Sequence, residues 1–271
     1  MASKGRGRGR GLLRTVAANP VVGGQNNTEK ADGDTSGQFD EDFQDLESRL
    51  ANLTLDIDEE VMKDIVKLSE RIFKDESRLN DIAANIYKKC LQDREFAKTG
   101  AILCERLTNN AESGANFRTA LLKLVQVDFK EKDEIRKKST GKFLNLFAFI
   151  CQLFSNMKDP KGEPFKVFLV PIYECLNTIL HTDIHNDDEY ECVLLQLQGI
   201  GRDLESLDAE KMNVLMEKIR HLIIKDGATA RGRCTLLELL ECYSRSWKSL
   251  PNETTRFYCD TMADILAGMV V

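Results

Sequence analysis

The stretch FLNLFAFICQLFSNMKDPKGEPFKVFLVPIYECLNTILHTDIHNDDEYECVLLQL, residues 143–197, decides the fold of this chain. It holds three apolar segments with short polar breaks, and the apolar residues of each recur at steps of three and four. That spacing predicts amphipathic helices, each burying one face against the next. The three stripes are Phe143, Leu146, Phe147, Ile150, Phe154 and Met157; Phe165, Phe168, Leu169, Ile172, Leu176 and Ile179; and Tyr190, Val193, Leu194, Leu197, Ile200 and Leu204. Stacked helices provide surface for partners rather than a pocket for chemistry.

The same periodicity runs from Val61 to Leu266 and predicts about ten helices and no strand. The breaks are mostly short, which favours antiparallel neighbours. Helix pairs recur roughly every 40 residues, the period of HEAT and armadillo solenoids, although no consensus repeats at that period. We therefore predict an all-α fold over residues 56–271, an α-solenoid of about five antiparallel helix pairs. Pro171 should either kink its helix or lie in the first turn of a new one.

The N-terminal residues differ in composition from the rest of the chain. Residues 1–38 are rich in Gly, Arg, Asn, Thr and Asp and poor in large apolar groups, which predicts a disordered tail, first Arg/Gly-rich and then acidic. Residues 39–55 carry Phe43, Leu46, Leu50 and Leu53 at helical spacing. They predict a short helix or linker before the solenoid.

The tail holds an arginine arm, residues 5–11, in which Arg6, Arg8 and Arg10 alternate with glycine. Arginine on a flexible chain pairs with phosphates and stacks on bases, with salt-sensitive affinity and little sequence preference. The arm is a candidate RNA contact. The alternative is a solubilising tail that folds transiently against the acidic segment after it.

A second basic cluster lies at a predicted junction between helices. Some of these cations are explained by the favourable position of positive charge at a helix C-terminus. Interleaved acids, Glu131, Asp133 and Glu134, dilute the cluster. Six cations within one junction still exceed what a helix end needs, so the cluster is a candidate docking surface for an acidic partner or RNA. Its members are Lys130, Lys132, Arg136, Lys137, Lys138 and Lys142.

Charge and cysteine usage limit the classes of function. The formal net charge of −6 argues against a protein that coats nucleic acid over its whole surface. No apolar run is long enough to span a membrane, and no apolar segment follows the basic N-terminus as in a signal peptide. The eight cysteines lie in or beside apolar stripes without a CxxC pair, which indicates core packing in a reducing compartment, the cytoplasm or also the nucleus.

Sequence features of an enzyme are sparse. His181 and His185 are four residues apart near several aspartates, which would suit Zn²⁺. The surrounding polar residues favour a solvated helix end and loop instead, and no third ligand has a recognised spacing. No phosphate-binding loop or nucleophile motif is visible, so we predict no enzymatic activity, no metal and no cofactor. Gly199 and Gly201 lie within a helical stripe and indicate close helix packing. Trp247 is either core or an interface anchor.

From Val61 to Tyr258 the chain resembles the middle domain of translation initiation factor 4G. The resemblance is carried by the order of segments along about 200 residues. It is strongest to the small member that binds the histone-mRNA stem-loop-binding protein, with the cap-binding-complex-dependent initiation factor as a near relative. The segments are Leu91-Gln92-Asp93 with Phe96 and Lys98; Phe117-Arg118, Leu121-Leu122 and Arg136; Phe149-Ile150-Cys151 with Phe154; Leu169-Val170-Pro171 with Tyr173 and Cys175-Leu176; 193–197; and Trp247-Lys248.

The resemblance implies a non-enzymatic adaptor in translation initiation or mRNA metabolism. Such domains dock DEAD-box helicases like initiation factor 4A, other initiation factors and mRNA-bound proteins such as the stem-loop-binding protein, and the small member is associated with homodimers. The apolar residues near the C-terminus, among them Ile265 and Leu266, either pack on the last helix pair or meet a second protomer. The alternative is a direct RNA-binding protein that uses the arginine arm and the basic cluster.

Overall fold

A computed structural model of the chain describes residues 34–55, 58–110, 113–159, 161–180, 186–224 and 228–268. Within these ranges it contains twelve α-helices, one 3₁₀ turn and a single isolated β-bridge between Lys158 and Pro164. The predicted all-α fold class is confirmed. The helices are α1 Asp34–Ala51, α2 Glu59–Ile72, α3 Glu76–Gln92, α4 Phe96–Asn110, α5 Gly114–Lys130, α6 Lys132–Lys138, α7 Thr140–Asn156, α8 Leu169–Leu180 after the 3₁₀ turn Lys166–Phe168, α9 Asp187–Leu207, α10 Ala209–Ile224, α11 Ala230–Ser244 and α12 Asn252–Leu266.

The helices form two layers. In one layer α2, α4, α7, α9 and α11 pack side by side in that order. In the other, α1 packs on α3 and α3 on α5, and after a gap α8 packs on α10. Pairing across the layers gives α1 with α2, α3 with α4, α5 with α7, α8 with α9 and α10 with α11, and α12 closes the stack against α11. The arrangement has the predicted five antiparallel pairs.

Side-chain hydrogen bonds between layer neighbours reveal the repeat that the sequence hides. Each joins residues about one helix pair apart, with separations of 38 to 44 positions. Because the separation in sequence stays nearly constant, neighbouring helices of a layer run parallel to each other. The helix between them in the sequence runs antiparallel to both. This is the contact pattern of a solenoid, in which each repeat touches only the next. The bonds are Glu47–Asn85, Tyr87–Asp128, Gln152–Gln196, Asn177–Lys218, Gln198–Glu238 and Glu205–Trp247.

Local sequence signals set several helix starts. Asp58 caps α2, because its side chain accepts a hydrogen bond from the Glu60 amide at 3.0 Å. Asp75, Asn186 and Thr229 cap α3, α9 and α11 in the same way. Pro171 is the third residue of α8, so it lies in the first turn of a new helix, where no amide donor is needed, and does not kink a longer one.

Two elements differ from the sequence expectation. The short helix α6 lies where the sequence predicts a junction, because seven residues with only Ile135 buried give no apolar stripe. Helix α1 begins at Asp34, inside the stretch predicted as tail, and it packs on α2 and α3 as part of the domain. Its Phe39 and Phe43 enclose the Arg78 guanidinium, which lies 5.2 and 4.6 Å from their ring centroids.

Lys89 of α3 fastens the C-terminal end of α1. Its ammonium group donates hydrogen bonds to the carbonyl oxygens of Leu50, Ala51 and Leu53 at 3.1, 2.9 and 2.7 Å. Leu50 and Ala51 belong to the last turn of α1, whose carbonyls have no following turn of helix to bond with, and Leu53 lies two residues beyond it. The same ammonium lies 4.7 Å from the centre of the Phe96 ring. One lysine therefore satisfies the end of α1 and ties it to the second helix pair.

Replacing Lys89 with methionine is expected to loosen α1 while the rest of the solenoid stays folded. Methionine keeps the packing length but removes three charge-assisted hydrogen bonds, so local opening should become easier by about 1.5 kcal/mol. Amide hydrogen exchange between Phe43 and Leu50 should then be roughly tenfold faster. Lys88→Met is the matched control, since Lys88 is exposed and its variant should exchange like the wild type.

The core runs continuously through the stack and contains the three stripes that define the fold, except that Phe165 and Leu169 are half-buried against it. Phe143, Phe147, Phe149 and Phe154 are fully buried on α7, the helix that packs on both flanking repeats. Seven of the eight cysteines are buried as free thiols, and Cys259 is exposed. Burial raises the pKa of Cys175 to about 12 and of Cys192 to about 11, so these thiols stay neutral and pack as small apolar groups. No helix in the described ranges has the length and apolar character needed to cross a membrane.

Candidate partner-docking surfaces

In the structure, some side chains of the predicted basic cluster pair with carboxylates of the domain and others are exposed without such a partner. Lys132 lies 3.4 Å from Glu174 of α8 and 5.0 Å from the centre of the Phe129 ring, and it is largely covered. Lys137 pairs with Glu134 on the same helix, and this hydrogen bond raises the pKa of Lys137 and lowers that of Glu134.

Lys142 approaches Asp128 at 3.8 Å. Lys130 and Lys138 are exposed, and among the described residues neither has an ion pair. Several cations of the cluster are therefore already neutralised within the domain. The sequence did not reveal this, because their partners Asp128, Glu174 and Glu189 lie on other helices.

Arg136 is the most deeply engaged member of the cluster. Its Nε and Nη2 atoms donate to the two carboxylate oxygens of Glu189 at 2.6 and 2.7 Å, a bidentate pair between α6 and α9. The Glu189 side chain is 1% exposed and that of Arg136 is 22% exposed. The hydrogen bonds to Glu189 raise the pKa of Arg136. This pair joins consecutive repeats, and Arg136 is not presented to a partner.

The other predicted contacts fall largely outside the described residues. Arg6, Arg8 and Arg10 of the arginine arm lie there, and so do His181 and His185. His221 is exposed, and its Nδ1 is 2.9 Å from the Glu217 carbonyl oxygen of its own helix. Among the residues that the structure describes, no group of three or more His, Cys, Asp or Glu side chains is placed to hold a metal ion.

Trp247 packs against Gly201 from beyond the end of its helix. It follows the apolar stripe of α11 at helical spacing from Tyr243, but α11 ends at Ser244, and Ser246 and Trp247 adopt φ values of 56° and 62°. This left-handed turn, unusual for residues other than glycine, brings the indole over α9. There its Nε1 donates to Glu205 at 2.8 Å. A Cβ atom at Gly201 would lie 2.5 Å from the ring, whereas one at Gly199 would meet nothing within 4 Å.

The gap in the layer of α3, α5, α8 and α10 forms an open apolar groove of about 450 Å³. Both of its ends are closed by side-chain contacts across the gap, one from α5 and one from α6. Near the start of α5, the Arg118 guanidinium lies 5.3 Å from the centre of the Phe165 ring. At the other end, Lys132 pairs with Glu174 of α8. The lining residues are Thr119, Leu122, Lys123, Val125, Gln126 and Phe129 of α5, with Val167, Phe168, Val170 and Pro171 opposite.

Sequence reasoning missed this groove, although a signal for it was present. Val167 of the 3₁₀ turn and Val170 of α8 lie outside the apolar stripe of this segment, yet both are apolar. The structure leaves them 60% and 55% exposed. An apolar residue on the outer face of an amphipathic helix is unremarkable alone, but two that line one groove mark a surface for association.

At the C-terminal end of the stack, α12 has no buried residue. Its Thr254, Tyr258, Met262 and Ile265 are half-buried, consistent with the side that meets α11. Phe257 and Leu266 are exposed. Residues 269–271 lie outside the described ranges. The association of two copies through this end stays a prediction.

Comparison with known proteins agrees with this architecture. The model of the MIF4G domain family matches residues 45–246, from within α1 to just beyond α11. The CBP80/20-dependent translation initiation factor of Xenopus tropicalis is 33% identical over 187 residues, which cover 69% of this chain and 32% of that protein. The chain thus spans about a third of that relative's length.

Shorter relatives match over most of their length. MIF4G domain-containing protein B of Danio rerio is 29% identical over 69% of this chain and 85% of its own length. The human MIF4G domain-containing protein is 26% identical over 67% of this chain and 84% of its own length. Because the family model covers most of the chain, including nearly all of the stacked helices, this protein belongs to the MIF4G domain family.

Proposed function

We propose that this chain is a non-enzymatic adaptor in translation initiation or mRNA metabolism. On this proposal it bridges an mRNA-bound protein, such as a histone stem-loop-binding protein, to initiation factors and a DEAD-box helicase of the initiation factor 4A type. The observation that carries the proposal is the match of the MIF4G family over nearly all of the helix stack, together with a relative named as a translation initiation factor. The protein would act in the cytoplasm and also in the nucleus.

The physical basis of bridging is effective concentration. The two layers share one continuous core, so partners bound on different repeats are held on one rigid body. Their encounter then becomes intramolecular, which raises its probability without any new contact between them. A bridging protein needs surface and rigidity rather than a catalytic site. The open groove between α5 and α8 supports this role.

Direct RNA binding is the second candidate, supported by the arginine arm. It has less support from the basic cluster, because Lys132, Arg136, Lys137 and Lys142 have carboxylate partners within the domain. Two cations of that cluster, Lys130 and Lys138, are left for phosphate. The two functions therefore differ in how binding depends on RNA and salt.

Affinity capture from nuclease-treated lysate tests the adaptor. The full chain should retain initiation factors and a DEAD-box helicase after nuclease, and a variant lacking residues 1–33 should retain them equally. That deletion ends before α1, so the helix stack is intact. Loss of all partners after nuclease would instead favour tethering through RNA. A salt titration of oligouridine binding separates the two further, since phosphate contact predicts a steep dependence of affinity on salt.

A further inference from the structure

The groove between α5 and α8 combines an apolar floor with basic side chains that lack partners. Lys123 lines the groove, Lys130 follows it two turns later on α5, and Lys166 opens the 3₁₀ turn opposite. All three are exposed, and within the described ranges no carboxylate lies within salt-bridge distance of any of them. The positive charge at this surface is therefore not neutralised by the chain's own described residues.

Two carboxylates of the same region, Asp128 and Glu174, already have partners within the domain. Asp128 of α5 accepts a hydrogen bond from Tyr87 at 3.0 Å and approaches Lys142. Glu174, one turn beyond Val170 on α8, pairs with Lys132 at the closed end. An incoming anionic group would thus meet lysines along the groove. A cationic one would meet unfavourable charge.

The other end of this same layer shows how such a surface is covered. Helix α1 carries an apolar stripe and six carboxylates against one arginine (Asp34, Asp40, Glu41, Asp42, Asp45, Glu47 and Arg49). Its stripe residues Leu46 and Leu50 are buried against α2 and α3. Its acids pair with basic side chains of those helices, Asp42 with Arg71 at 3.1 Å and Asp40 with Arg78. An acidic amphipathic helix is therefore a chemistry that this fold already accommodates.

We propose that the groove between α5 and α8 binds an acidic amphipathic helix of a partner protein. The proposal rests on the adaptor function and names the chemistry of one of its partners. From Arg118 to its last residue, Lys130, α5 is about 18 Å long, which is a little over three turns of a helix. Apolar side chains spaced at i, i+3, i+4 and i+7 enter between Leu122, Phe129 and Val170, and carboxylates on the flanks meet the lysines.

The test uses fluorescence anisotropy of the full chain with designed 18-residue peptides. The first peptide has leucines at helical spacing with glutamates on the other faces. The second replaces each glutamate with lysine, and the third has the composition of the first with its leucines distributed around the helix. Oligouridine is the fourth probe. We expect the first peptide to bind at least about tenfold more tightly than the second and third, and less tightly as salt increases.

Variants locate the binding in the groove. Val167→Glu and Val170→Glu place a carboxylate on the apolar floor and should each weaken binding of the acidic peptide about tenfold or more. Both side chains are more than half exposed, so folding should be retained, as melting followed by circular dichroism checks. Val127→Glu is the matched control, because Val127 is 59% exposed on α5 but does not line the groove.

Charge reversal tests the basic rim. Lys123→Glu and Lys166→Glu should each weaken the acidic peptide by about two- to fivefold, while Lys67→Glu on α2, with the same change in net charge, should not. Equal binding of the acidic and lysine peptides would overturn the proposal, as would equal loss with Val127→Glu or binding of oligouridine alone at this surface. Failure of the lysate capture with intact peptide binding would reject the translation role and leave the groove assignment standing.

Discussion

Replacing Arg136 with alanine is expected to lower the free energy of unfolding by about 3 kcal/mol or more. The reason is the burial of its partner: Glu189 is 1% exposed, and both of its carboxylate oxygens accept hydrogen bonds from Arg136. Removing one member of a buried pair leaves an uncompensated charge, which costs more than the pair itself contributes. Urea unfolding followed by circular dichroism measures the loss.

Two further variants separate this mechanism from a general effect of lost charge. Lys137→Ala removes the adjacent cation of α6, whose pair with Glu134 is exposed, and no measurable change in stability is expected. The double variant Arg136→Met with Glu189→Leu removes both charges and should recover much of the stability lost by Arg136→Ala. If the double variant is as unstable as the single one, the loss arises from packing rather than from an unpaired carboxylate.

Gly201→Ala is expected to destabilise the C-terminal repeats by about 2–3 kcal/mol. The new methyl group would lie 2.5 Å from ring atoms of Trp247, so the indole must move. It is not a flexible end group, because its Nε1 is bonded to Glu205 and its ring contacts Tyr243 edge-on at 5.8 Å. Overpacking of this kind typically costs 1–3 kcal/mol, and displacement also breaks the hydrogen bond. Thermal unfolding and the fluorescence of this single tryptophan report both effects.

Gly199→Ala is the matched control on the same helix, two residues away. A Cβ atom there meets nothing within 4 Å, so only the helix preference of alanine acts. Stability should rise by about 0.5–1 kcal/mol. The two alanine variants should therefore differ in sign. A similar loss in both would mean that α9 does not tolerate alanine at either position for reasons other than Trp247.

Gly199 and Gly201 show why part of the packing around Trp247 was predictable from the sequence and part was not. The sequence places both within one apolar stripe, and close packing was expected of both. Only Gly201 faces the indole, because Trp247 reaches it from beyond α11 through a turn with positive φ at Ser246 and Trp247. A turn of that kind leaves no periodic signal, and neither residue is one that favours it.

The basic cluster illustrates a second limit of sequence reasoning. Neighbours in sequence suggested one charged surface at residues 130–142. In the folded chain Arg136 points to α9 and Lys132 to α8, each toward a carboxylate more than 40 positions away. Conversely, Lys123 and Lys166 are far apart in sequence and lie beside one groove. The charge of a surface depends on which helices are adjacent in the fold. The order of residues in the sequence does not determine that adjacency.

The sequence by itself determined the helical class, the paired arrangement and the membership of the core. These follow from apolar residues at steps of three and four, which must be buried wherever the helices are placed. Only the tertiary structure decided where the layer of α3, α5, α8 and α10 is interrupted, which cations are neutralised, and that an indole closes over Gly201. Each of these depends on how neighbouring repeats pack against each other. That packing is stabilised by contacts between residues about 40 positions apart in the sequence.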